Sequence, residues 1–129
     1  MGLDIVFHAQ SKLDSRYREE VGYFSKVNFL LTYFDVGDDH ACDSITIPRS
    51  RLYELVSDLC KELERHSIYK TTEPDNPKLK TKKVFFGGSV EYDDSYWHEL
   101  QYVYDWAKEL AEDPSFDWER DSLEMFFSY

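Results

Sequence analysis

The chain predicts an α+β fold, with three helices packed on a small, mainly antiparallel sheet that includes both chain ends. Two patterns carry this prediction. At the start, Leu3, Ile5 and Phe7 alternate with Asp4, Val6 and His8; at the close, Leu123, Met125, Phe127 and Tyr129 alternate with Glu124, Phe126 and Ser128. A period of two marks a half-buried strand. Between these ends, apolar residues recur at the spacing of one helical face. A chain of 129 residues reads as one domain, residues 1–129. Folding such a chain buries roughly two thirds of the surface it would otherwise expose, so no metal or disulfide staple is required.

The expected order is strand, helix, strand, helix, hairpin, helix, strand. After the first strand, Gln10 to Glu20 is polar and reads as a loop. Val21 to Phe34 reads as a central helix: Tyr23, Phe24, Val27, Leu30, Leu31 and Phe34 form one wide apolar face, and Phe29 and Tyr33 point the other way. Gly22 near its start costs about 1 kcal/mol relative to alanine. Gly37 to His40 turns the chain, Ser44 to Ile47 reads as a strand stopped by Pro48, and Ser50 is the expected cap of the second helix. Leu52, Leu55, Val56, Leu59, Cys60 and Leu63 form that helix's inner face, and Glu54, Asp58, Lys61, Glu62 and Arg65 its back. Cys60 is expected in the core.

His66 to Lys82, with two prolines and a basic run, reads as a mobile loop. Lys83 to Tyr92 reads as a hairpin turning at Gly87-Gly88, or as one strand followed by a glycine loop, the hairpin being preferred. The third helix is expected from Ser95 to Glu112, capped by Asp94 or Ser95, with Pro114 beyond its end. Tyr96, Trp97, Leu100, Val103, Tyr104, Ala107, Leu110 and Ala111 form its inner face, while Tyr102 and Trp106 point outward. The closing strand is expected beside the first.

Charge is concentrated. The net charge is −11, and Glu91 to Glu124 carries twelve acidic residues against Lys108 and Arg120, a net −10. Affinity for a phosphate backbone comes mainly from Lys and Arg, so direct nucleic-acid binding is not expected. An acidic lobe suits a basic protein partner, or solubility alone. Cys42 and Cys60 have no CxxC or zinc-ligand spacing, and the start of the chain has no basic n-region followed by a long apolar run. No stretch approaches about 18 uninterrupted apolar residues. Met1-Gly2 begins like a myristoylation signal, but Val6 stands where Ser or Thr is needed. The expectation is a cytoplasmic protein with free thiols, not associated with a membrane.

Patterns for chemistry are sparse. His40 and Cys42 beside Asp38 and Asp39 supply metal-binding atoms, but His8, Cys60, His66 and His98 are scattered, so no metal or other cofactor is expected. Gly87-Gly88-Ser89 fits neither phosphate-binding glycine motif. Glu91, Asp93 and Asp94 could act as an acid–base group with His98, but acids before a helix are also what capping and the helix dipole favour. Asn28 is an amide beside an apolar face and must find partners there. It is expected to pin a neighbouring loop. Tyr23, Asn28, Glu91, Tyr92 and Asp93 form the candidate ligand-binding set. His98, Tyr102, Asp105, Trp106 and Glu109 form the candidate partner-binding set, because aromatic side chains with a charged rim describe protein–protein hot spots. Phe29 and Tyr33 form a weaker stripe of the same kind.

MGLDI at 1–5, EVGYFSKVN at 20–28 and FFGGSVEYDD at 85–94 together resemble a family of short uncharacterised bacterial and phage proteins. Its blocks are an opening GLD, a central EVGYFRKxN helix, a GFFFGSTEYDE segment and a closing aromatic strand like Leu123 to Tyr129. The similarity covers most of the chain. Gly87 stands for the third phenylalanine, Val84 for the leading glycine and Ser25 for arginine, the last removing a cation from a candidate polar site. The resemblance implies a family and no activity. Two functions follow. One is a non-enzymatic interaction protein (a phage-related accessory, anti-defence or immunity-type protein) that docks a basic partner on its acidic third helix. The alternative is a small enzyme or ligand-binding domain using the carboxylate, aromatic and Asn28 cluster. The absence of any recognised catalytic pattern favours the first.

Overall fold

The computed structural model describes residues 3–14, 16–36, 44–82 and 91–128. Their elements are strands β1 (Asp4–Ser11) and β2 (Arg18–Ser25), helix α1 (Phe29–Tyr33), strand β3 (Ser44–Ile47), helix α2 (Arg49–Tyr69), a 3-10 turn (Pro77–Leu79), helix α3 (Asp94–Glu112) and strand β4 (Asp121–Ser128). The four strands form one antiparallel sheet in the order β2-β1-β4-β3, so the strands nearest the two chain ends are its central pair. This is the α+β architecture expected from the sequence. The Gly37–His40 turn and the Lys83–Tyr92 hairpin fall outside the described residues, apart from Glu91 and Tyr92.

The alternation at the two ends sets the sheet's sides. Ile5 pairs with Phe127 and Phe7 with Met125, and these residues are buried together with Leu3, Phe24, Leu123 and Ile47. Helices α2 and α3 pack on each other and bury Leu52, Leu55, Leu59, Leu100, Val103, Ala107 and Leu110 in the same core.

The central helix is the main correction. Residues 18–25 form a strand, not a loop running into a helix, and α1 is only five residues long. Val21, Tyr23 and Phe24 are good strand formers, and Tyr23 and Phe24 pair with Val6 and Ile5 of β1. The strand ends at Lys26, whose φ of 61° lies in the left-handed region; its N–H donates to the Leu3 carbonyl at 2.7 Å. The helical spacing from Val27 onward is real, and Val27, Leu30, Leu31 and Phe34 are buried. Phe29 and Tyr33 are buried as well, so that stripe is not a partner surface. The Tyr33 hydroxyl donates to Asp58 at 2.8 Å, and burial raises its pKa.

Three further expectations change. Helix α2 begins at Arg49, one residue before the expected cap Ser50, after an extended Pro48. Cys60 is exposed, because the buried stripe of α2 narrows to Leu52, Leu55, Leu59 and Glu62. Glu62, expected on the back of the helix, is buried instead. Helix α2 also runs into the expected mobile loop and stops at Tyr69, capped by Lys70 in the left-handed conformation.

A bulge joins α3 to the sheet. Phe7 pairs with Gly22 and His8 with Glu20, which leaves Val21 as the extra residue of β2. The indole N–H of Trp106 donates to the Val21 carbonyl at 2.7 Å, and its ring packs on those of Phe7 and Phe24. A Cβ on Gly22 would lie 2.7 Å from the Trp106 ring. Gly22→Ala is therefore expected to destabilise the fold by about 1–3 kcal/mol, as overpacking does. The urea midpoint reads this directly, and an unchanged midpoint would mean that the indole moves aside freely.

Candidate interaction surface

The outer side of α3 is where the negative charge meets solvent. Asp93 caps the helix, its carboxylate accepting from the Tyr96 N–H at 3.2 Å. The expected cap was Asp94 or Ser95, and the helix starts one residue earlier than predicted. From there His98, Tyr102, Asp105 and Glu109 are all exposed, and 62% of Tyr102 is accessible. The Tyr102 ring rests edge-on against Phe24 at 5.5 Å, which fixes its base while leaving the hydroxyl end in water. Gln101 donates to Asp105 at 2.9 Å. Among the described residues, no lysine or arginine forms an ion pair with Asp94, Asp105, Glu109 or Glu112. Lys108, the cation on this helix, lies 5.9 Å from the Tyr104 ring.

Trp106 does not belong to this surface. It is half-buried on the Val21 bulge, and the expectation that it points outward with Tyr102 is wrong. The spacing Tyr102–Trp106 does put both on one side of the helix, but that side faces the edge of β2. The lower residue is covered and the upper one clears the edge.

The candidate ligand set divides. Asn28 donates its amide to the Lys82 carbonyl at 2.6 Å and accepts from the Lys82 N–H, so it pins a loop as expected. The Tyr92 hydroxyl accepts from the Thr81 N–H at 3.1 Å, next to the same segment. Tyr23 lies on the opposite side of the sheet, paired with Val6, and donates to Asp4 at 2.6 Å. Glu91 and Asp93 are exposed, and Asp93 is occupied as a cap. The structure brings Asn28 and Tyr92 together and leaves Tyr23 apart, so the five do not line one cleft. His98 opens on a cleft of about 370 Å3 that His66 also lines. There His66 stacks on Trp97 at 3.8 Å with its Nδ1 2.7 Å from the Thr71 carbonyl oxygen. Among the described residues, no group of three or more His, Cys, Asp or Glu could hold a metal, and no helix is long and apolar enough to cross a membrane.

Two features escaped the sequence reading. The outer side of the sheet carries a row of Glu20, His8, Glu124 and Thr46, one residue from each strand. Thr46 donates to one Glu124 oxygen at 3.0 Å, while the other oxygen and His8 Nδ1 have no hydrogen-bond partner among the described residues. Burial, then the Arg18 charge, lowers the His8 pKa below 6.5 against the opposing pull of Glu20. The alternating pattern located His8 on this mixed side, but strand register was needed to align the row. The second feature is Glu99 on α3, where burial and then the Asp93 charge push its pKa up to about 7.

No protein-family model, curated protein or solved structure matches the chain.

These two groups tilt stability in opposite directions. Glu99 binds its proton more tightly when folded, so its contribution is complete below about 4.5 and is lost as the pH rises through about 7. Glu99→Gln should remove that slope and raise stability at pH 8 by roughly 1 kcal/mol, discounted for partial exposure. His8 binds its proton less tightly when folded. Its contribution is complete above 6.5 and is lost as the pH falls through the depressed folded value. His8→Gln should flatten the acid side of the same curve. Unfolding curves between pH 4 and 9 check both, and slopes unchanged by either substitution would contradict the assignments.

Proposed function

We propose that this is a non-enzymatic interaction protein, of the phage-related accessory, anti-defence or immunity type suggested by its sequence blocks, that docks a basic protein segment on the outer side of α3. One observation carries the docking surface: an exposed Tyr102, anchored at its base by Phe24, stands among carboxylates that no cation of the described chain neutralises. Such carboxylates keep their attraction for a partner's lysines and arginines, which speeds encounter and favours basic partners. The aromatic ring gives the contact its apolar centre, at little cost in side-chain entropy. The surface comprises His98, Tyr102, Asp105 and Glu109; Trp106 supports it from beneath.

The ligand-binding alternative loses its motivating cluster, since Tyr23 stands apart from Asn28 and Tyr92.

The test is binding of a fluorescent lysine- and arginine-rich peptide. Tyr102→Ala should weaken it by about 1–2 kcal/mol, and Asp105→Lys with Glu109→Lys should abolish its salt dependence. Unaltered affinity in both variants would sink the reading. Trp106→Ala is unsuitable as a probe, because it removes a structural contact.

A further inference from the structure

We propose that the basic partner segment docks in extended form, adding a strand to the free edge of β2 and seating one lysine or arginine side chain in a cleft between that edge and α3. The inference rests on the docking reading above and adds how the partner is held.

Strand β2 is an outermost strand of the sheet, paired only with β1. In an antiparallel pair every second residue of an edge strand turns its N–H and C=O away from its neighbour. The Tyr17 carbonyl and the Lys26 N–H, just outside the two ends of β2, bond inward to Ser11 and Leu3. Counting in steps of two from each towards the Val21 bulge leaves Arg18, Glu20, Tyr23 and Ser25 with outward backbone groups. All four residues are exposed, and among the described residues no element pairs with them on that side. Between them the Trp106 indole covers the Val21 carbonyl.

The cleft opens at the same bulge. It encloses about 240 Å3 and is lined by Val21, Trp106, Glu109, Leu110 and Asp113. These residues suit a long cationic side chain: the indole and Leu110 take its methylene stem, and Glu109 meets its charged head. Asp113, held by its Oδ1 bonds to Ser115, adds a fixed negative charge. The cleft also lies at the C-terminal end of α3, where backbone carbonyls favour a cation and the last turn has no basic residue. Strand β2 runs past α3 in the opposite direction, with Val21 at Trp106 and Phe24 against Tyr102. A strand added to this edge therefore passes the cleft and then the Tyr102 ring.

Charge selects the occupant. Glu19 and Glu20 on β2 are exposed, as is Glu109, and among the described residues none of the three forms an ion pair. A second copy of the chain has the same edge acids and the same net charge of −11, so it is repelled. A lysine- or arginine-rich strand brings the opposite sign. Main-chain bonds to β2 then supply affinity, and the cleft supplies the preference for a basic side chain.

The experiment uses the full chain and a synthetic peptide that alternates lysine with threonine. Two derivatives are methylated on the backbone nitrogens of every lysine or of every threonine. Each keeps all the charges and loses the N–H donors of one edge. The expected result is that one derivative binds about tenfold or more weaker while the other binds like the parent, because only one edge meets β2. The bound parent should also slow hydrogen exchange at the Tyr23 and Ser25 amides, and Glu109→Gln should weaken binding about two- to fivefold. Tyr102-dependent binding with both derivatives equal and these amides unprotected overturns the strand addition and leaves docking on α3 standing. No binding of the parent peptide overturns both. Affinity unaltered by Glu109→Gln overturns the seat in the cleft, and self-association that protects the same amides without peptide overturns the choice of occupant.

Discussion

The seat of Trp106 on the β2 bulge is the contact on which the rest of the arrangement depends. An extra residue at Val21 turns its carbonyl out of the ladder, and the indole N–H satisfies it. Gly22 leaves room for the ring, and Phe7 and Phe24 grip its other parts. This contact sets how far α3 stands from the sheet. It therefore decides that Tyr102, one helical turn earlier, clears the edge of β2 while its base touches Phe24. The same contact covers part of an edge strand that would otherwise offer its backbone to other chains.

A second constraint shapes the segment from Thr71 to Lys82, which has little regular structure of its own. Its backbone is held by side chains reaching out of the helices. Glu62 accepts from the N–H groups of Asp75 and Asn76 at 2.9 and 2.8 Å. Trp97 donates to Thr72, Tyr96 to Leu79, and Asn28 to Lys82. Lys78 then spans to Glu54 at 2.6 Å, and Leu79 is fully buried. A buried carboxylate is tolerated only when its oxygens are occupied, and two backbone donors occupy one oxygen of Glu62. Among the described residues of the basic run, Lys78, Lys80 and Lys82 are in this way engaged within the chain, by Glu54, Glu73 and the Val36 carbonyl. None of these three pairs with a carboxylate on the outer side of α3.

Much of the fold was legible because burial imposes a period. Alternation placed both end strands and the side they bury, and helical spacing placed α2 and α3. Residues 18–25 were misread because Tyr23 and Phe24 fit a helical stripe and a strand equally well. Only the partner strand decides between them, and the left-handed turn at Lys26 that separates strand from helix leaves no pattern in a lysine. Glu62 and Trp106 were misread for a related reason. Spacing says which side of a helix a residue occupies, but not how far the neighbouring layer extends over that side. Asn28 was read correctly because an amide next to Val27 and Phe29 had to find partners wherever the chain went. The row of Glu20, His8, Glu124 and Thr46 needed register across four strands, which no local pattern supplies.

The placement of charge links the architecture to the proposed docking surface. Helix α3 leads through the 113–120 turns directly into β4, and the acidic stretch runs on through them to Glu124. The local pairs at that junction are short-range: Asp113 holds Ser115, Asp117 caps the Glu119 and Arg120 N–H groups, and Asp121 meets Arg120. Carboxylates used in turns are fixed by backbone donors and have little freedom to seek a partner. Among the described residues, Asp105 and Glu109 on the middle of α3 have no such occupation beyond the Gln101–Asp105 bond, and both are exposed. Negative charge therefore has two separate uses in one stretch of chain. Near its end it builds the turns that start β4, and along the helix it remains available around Tyr102. Net charge alone could not separate these uses, because it counts a turn-capping aspartate and an unpaired one alike.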